Sequence, residues 1–119
     1  MVITNHGRHK TALLIGGSTA AIPAYFVIGS GSGTAVATDT SLVYPVDGQV
    51  FTETTYPALQ KINQQGDWNS VEMSGIQLRQ FGIKVEAGTT GSLWSKSSLP
   101  ALTFDGTNEL RIEEVWEVY

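Results

Sequence analysis

Short runs of aromatic and β-branched residues, broken again and again by clusters of Gly, Ser, Thr and Asn, leave this 119-residue chain little room for anything but a small β domain. Pro23 opens the run Ala24-Tyr25-Phe26-Val27-Ile28, which Gly29 closes, and its composition and length predict a buried strand. Residues 46–55 alternate loosely and end in threonines that favour strand. Pro57 interrupts them, 58–65 is ambiguous, and 63–66 reads as a turn. A strand over 68–73 would place Val71 and Met73 on one face, and one over 78–85 would turn Phe81, Ile83 and Val85 inward. After a turn at 87–91 come short strands at 92–95 and 99–104, separated by 96–98. A hairpin loop at 105–108 then leads to a return strand over 110–118. That strand carries Leu110, Ile112, Trp116 and Val118 on one side, and Arg111, Glu113, Glu117 and Tyr119 on the other.

One helix is expected, over 6–15, capped by Asn5 and stopped by Gly16-Gly17, with Gly7 a weak point inside it. The fold class is therefore mainly β, a small antiparallel sandwich or barrel with one N-terminal helix, and residues 1–119 form a single domain. Residues 29–43, rich in Gly, Ser, Thr and Ala, can contribute little core and read as an exposed loop or extended arm.

Charge and cysteine content narrow the function classes. The net charge is −4, and only Arg8, His9 and Lys10 form a basic group, which argues against non-specific nucleic-acid binding. The chain has no Cys, which excludes disulfides, thiolate metal sites and cysteine catalysis. The apolar run 20–28 contains Pro23 and is too short to span a bilayer, and 12–15 is too short for a signal peptide, so synthesis in the cytoplasm without processing is expected.

Each candidate reactive motif lacks a part that its chemistry needs. Gly29, Gly31 and Gly33 follow a strand as a phosphate-binding loop would, yet no helical periodicity or lysine follows them. His6 and His9 have the spacing of a metal pair without a third ligand nearby in sequence. Glu113 and Glu117 share a strand face about 13 Å apart, which suits a solvated face or a charge-protected edge better than paired acid–base work. Residues 105–109 have an oxygen-rich look but not the alternating ligands of a calcium loop. No serine stands in a nucleophile elbow. No catalytic, metal or cofactor site is expected. What remains is aromatic: Trp68, Trp94 and Trp116 join Tyr25, Phe26, Phe51, Phe81 and Phe104 on the predicted strands, most of them as core and some at subunit contacts.

Several of these segments together resemble a known family. The opening Ile3-Thr4-Asn5-His6-Gly7-Arg8, then 13–17, then Tyr25-Phe26-Val27-Ile28-Gly29-Ser30-Gly31-Ser32-Gly33 and Thr40-Ser41-Leu42 is similar to the start of tail-collar fibre proteins of tailed bacteriophages. Leu78-Arg79-Gln80-Phe81-Gly82-Ile83, followed by Gly91-Ser92-Leu93-Trp94, resembles a later stretch of that family, with Gln80 where the family carries an acidic residue. The resemblance implies a virion-anchoring module. The chain would then be a non-enzymatic structural component of the tail, neck or baseplate, made in the host cytoplasm and located in the virion. Its partners would be copies of itself and other virion proteins, with no nucleic acid, membrane or cofactor. A capsid decoration protein is the alternative within that class. A carbohydrate-binding β-sandwich with exposed, coplanar tryptophans is the alternative outside it. The expected interface residues are Arg8, His9, Lys10, Gly29, Gly31, Gly33, Trp68, Trp94, Trp116 and Tyr119. Residues 1–8 and 29–43 would act as arms that order against neighbours.

Overall fold

The computed structural model describes residues 1–18 and 21–118 and is mainly β. Strand β1 (Val2–Ile3) leads into helix α1 (Asn5–Ile15), and then come β2 (Tyr25–Gly29), β3 (Pro45–Val50), β4 (Glu53–Ala58) and β5 (Lys61–Trp68). A single turn of helix, α2 (Ser70–Met73), precedes β6 (Gln77–Lys84), β7 (Leu93–Thr103) and β8 (Leu110–Glu117). Two sheets form. The larger has the order β1-β7-β6-β2-β3 and the smaller β4-β5-β8, and every pairing is antiparallel. The result is an open two-sheet sandwich and not a closed barrel.

The sheets meet over one apolar core of Phe26, Ile28, Trp68, Met73, Leu78, Ile83, Trp94, Phe104 and Ile112. Phe26 is its hub. Its ring lies 4.8 Å from that of Phe51 and 6.4 Å edge-on from that of Phe81. On the facing sheet it meets Gly66, where a methyl group would come within 2.5 Å of the ring. The strand expected at 46–55 is in fact two strands in different sheets. The chain crosses between them at a corner where Phe51 N–H still bonds Ala24 of the large sheet and Thr52 N–H already bonds Gln65 of the small one.

Other expectations are corrected in the same way. Residues 63–66 are no turn but the middle of β5, held on both sides by β4 and β8. Residues 68–73 do not form a strand. Asn69 accepts from Glu72 N–H (2.8 Å) while the Glu72 carboxylate accepts from Asn69 N–H (3.1 Å), a capping box that starts α2. Met73 is buried there, whereas Val71 is left 80% exposed. The two short strands expected at 92–95 and 99–104 are one continuous β7, because Lys96 and Ser97 are buried strand residues. Residues 105–108 do not close a hairpin, since β7 and β8 belong to different sheets. Phe81, Ile83 and Val85 do face the core as expected, Ile83 within it and Phe81 and Val85 half-buried against it, but Val85 falls just past the end of β6 and the opposite face of β6 is buried as well. A register shift at Leu78/Gln80 turns Leu78 into the core beside Ile83.

Thr4 rather than Asn5 caps α1. Its hydroxyl accepts from Gly7 N–H (3.0 Å) and donates to the Leu93 carbonyl, tying the helix start to β7. Gly17 takes the left-handed conformation (φ 84°) just past the helix end, as the Gly16-Gly17 stop predicts. Gly7 has a reason that composition did not show: a methyl group there would lie 2.2 Å from the Trp94 carbonyl oxygen. In an exposed helix, Gly→Ala gains up to about 1 kcal/mol. Here it presses on backbone, and overpacking costs about 1–3 kcal/mol. Gly7→Ala is expected to lower the unfolding free energy, measured by urea denaturation, where propensity alone would raise it.

Candidate interaction surfaces

The outer face of the large sheet carries Gln80 and Lys84 on β6 and Lys96 on β7, all at most 4% exposed. Residues 30–43 lie across it. Lys96 Nζ reaches Asp39 Oδ2 (3.1 Å) and donates to the Ser41 carbonyl (3.2 Å), Gln80 Oε1 accepts from Val43 N–H (3.0 Å), and Leu93 N–H donates to Thr40 (3.1 Å). Leu42 fills a small second core with Val27 and Leu93. Lys84 donates to the Thr90 and Ala87 carbonyls of the following turn. Burial holds its ammonium below the usual lysine range, with Glu86 opposing the shift. Asp39 is held below the usual carboxylate range, first by the Val36 N–H it accepts and then, against a desolvation that raises it, by Lys96. The segment expected as an arm is therefore docked on its own sheet.

The remaining expected interface residues scatter. Arg8 and His9 are exposed on α1 and Lys10 is half-buried. Gly29 and Gly31 are buried, Gly31 against Val43, where a methyl group would come within 2.3 Å of the Val43 carbonyl oxygen, while Gly33 is exposed in the left-handed region (φ 138°). No helix follows these glycines. Trp68 (1% exposed) and Trp94 (5%) are core and cannot offer their faces to a partner. Trp116 is half-buried and donates to Gln64 Oε1 (2.7 Å). Tyr119 lies outside the described residues. A coplanar platform of three exposed tryptophans, as a sugar-binding face would need, is not formed. Among the described residues no group of three or more His, Asp or Glu side chains comes together as a metal site would require.

Sequence reasoning missed a large apolar concavity. A cleft of about 1240 Å³ opens between α1 and the inner face of the small sheet. Ile15, Ile22, Tyr56, Ile62, Trp116 and Val118 are among its walls. Ile15 is 84% exposed, Tyr56 74% and Val118 69%. Its residues come from separate stretches of chain, so no local pattern announces it.

Also missed was the inward turn of Glu114. It pairs across the sheet with Gln64, between the inner pairs Ile112–Gly66 and Trp116–Ile62. Strict alternation from Leu110 would have placed it there. Burial raises its carboxyl above the usual glutamate value. On the outer face Arg111 clamps Asp67 (2.8 Å), and that hydrogen bond, with others from Gln65 and Thr52, lowers Asp67 to about 2.

No protein-family model matches the chain, and no curated protein matches it in sequence. No helix among the described residues is long and apolar enough to cross a membrane.

Two outcomes follow for these surfaces. Asp39→Ala strands a buried ammonium, whereas Lys96→Met leaves a carboxylate that is already about a quarter exposed and can hydrate. Asp39→Ala should therefore cost more, about 2–3 kcal/mol against about 1, and amide exchange at Val43 and Leu93 should accelerate in both. For Glu114 the folded chain holds the proton more tightly than the unfolded chain does. The stability this contributes is complete below the ordinary value of 4.5 and is lost as pH rises through the raised one. Glu114→Gln is accordingly expected to raise the thermal midpoint at pH 7 by about 2–3 °C and to leave it unchanged near pH 3.5.

Proposed function

We propose that the chain is a non-enzymatic structural component of a tailed-bacteriophage virion, an adaptor or fibre-anchoring protein of the tail, neck or baseplate. It acts by docking on copies of itself and on other virion proteins. The observation that carries this reading is the open apolar cleft between α1 and the small sheet. Singly exposed apolar residues are ordinary on a folded surface, but a contiguous apolar concavity is a contact surface waiting for a partner. At about 1240 Å³ it exceeds the usual 300–1,000 Å³ of a small-molecule pocket and suits a polypeptide element better. The resemblance of the segments at 3–8, 25–33 and 78–83 to tail-collar proteins supplies the setting.

The large sheet serves as the rigid half of such a module. Both its faces are covered within the chain, one by the small sheet and the other by 30–43, so it presents a fixed frame. The small sheet and α1 supply the contact side.

Mass spectrometry of purified particles from the phage carrying this sequence, with electron-microscopic mapping of the chain, tests the reading. The chain should co-purify at a fixed ratio to the major virion proteins, with its density in the tail, neck or baseplate. Density on the capsid surface would instead make it a decoration protein. Absence from the particle would end the proposal.

A further inference from the structure

The small sheet ends on β8, and the far side of that strand is open. All its ladder partners lie on β5, from Lys61↔Glu117 to Trp68↔Leu110. Just beyond it, Val118 N–H returns to Gln60 beside the same strand. Eight residues long and free of proline, β8 is a fit template for another strand. The other outer strand of this sheet, β4, carries Pro57, and its ladder is interrupted between Thr55 and Ala58.

The side chains of β8 decide which strand can add. Glu113 and Glu117 stand on the outer face, where Glu117 lies 4.0 Å from Lys61. Glu114 points inward between Ile112 and Trp116, and no hydrogen bond satisfies its carboxylate among the described residues. Leu110, Glu114 and Trp116 are each only partly covered, as inner-face residues are when the neighbouring strand position is empty. The only positive charge on the strand, Arg111, is committed to Asp67. Pairing with β8 of a second copy would bring acid against acid, and like charges directly opposite are destabilising.

We infer that β8 accepts an extended basic segment of a partner protein as a fourth, antiparallel strand of the small sheet. The register specifies its chemistry. Read from the residue opposite Glu117, such a strand carries a basic residue, an apolar one opposite Trp116, a free position, two basic residues opposite Glu114 and Glu113, and an apolar one opposite Ile112. Lysine opposite Glu114 would give a hydrogen-bonding partner to a half-buried carboxylate that otherwise senses only the charge of the N-terminal ammonium, while its stem covers Trp116. This deepens the assembly reading of the preceding section and rests on it.

The isolated chain tests it with a synthetic peptide, Lys-Val-Thr-Lys-Lys-Val-Ser-Leu, added during amide-resolved NMR. Shifts should concentrate on 110–117, with binding that weakens as salt rises from 50 to 500 mM. Replacing the three lysines by glutamate should abolish it. Glu113→Gln and Glu114→Gln should each weaken it about two- to five-fold. No shift at millimolar peptide, shifts centred elsewhere, or equal binding of the glutamate peptide would overturn the inference. Because no particle is involved, failure here leaves the virion reading standing, and absence from the particle leaves the peptide result standing.

Discussion

The sandwich hangs on one close approach, the ring of Phe26 seated over Gly66. A side chain on β5 at that point would hold the sheets apart by the width of a methyl group, and core packing leaves no slack for that. From this contact outward the apolar filling is continuous through Trp68, Met73, Leu78 and Ile112 toward one end. Toward the other end Trp94 of the big sheet lines the gap between α1 and the small sheet, which stays open. Core and cleft thus meet at Trp94, which belongs to the one and lines the other.

The two sheets solve the problem of exposed faces differently. The large sheet buries the Gln80 amide and two ammonium groups on its outer face; the Gln80 oxygen and both ammoniums meet the backbone or a carboxylate of 30–43 or of the turn after β6, while Gln80 Nε2 has no partner among the described residues. This polar second layer is directional, because Gln80 and Lys96 accept only a strap that offers an N–H or an oxygen at fixed places. The small sheet keeps its outer face wet and charged, with Asp67 gripped by Arg111, Gln65 and Thr52. Rigidity lies with one sheet and availability with the other.

How much of this could be read from the residues depends on how local each cause is. β2 and β8 follow from runs of apolar or alternating residues, and α1 from a cap and a glycine stop, so their existence and approximate limits were legible. β5 was not: Lys-Ile-Asn-Gln-Gln-Gly-Asp-Trp has the composition of a turn and becomes a strand only because β4 and β8 flank it. β7 hid its middle in the same way, since Lys96 looks solvent-bound until the strap that covers it is in place. The asparagine–glutamate capping box at 69–72 is a local signal that the strand expectation over 68–73 passed over. Of the contact surfaces, the inward Glu114 was derivable from alternation alone. The cleft was not, because only the fold brings Ile15, Tyr56 and Val118 to one rim.

The strap over the large sheet also reverses an engineer's first instinct. Its glycines, serines and threonines look like spare linker, the obvious place to graft an epitope or a fluorescent label. Yet Gly31 has no room for a side chain beside Val43, and the strap's carbonyls hold Lys96 and Leu93. The tolerant address is the tip joining β4 to β5, where Leu59 stands wholly in solvent and the cargo would hang clear of both sheets.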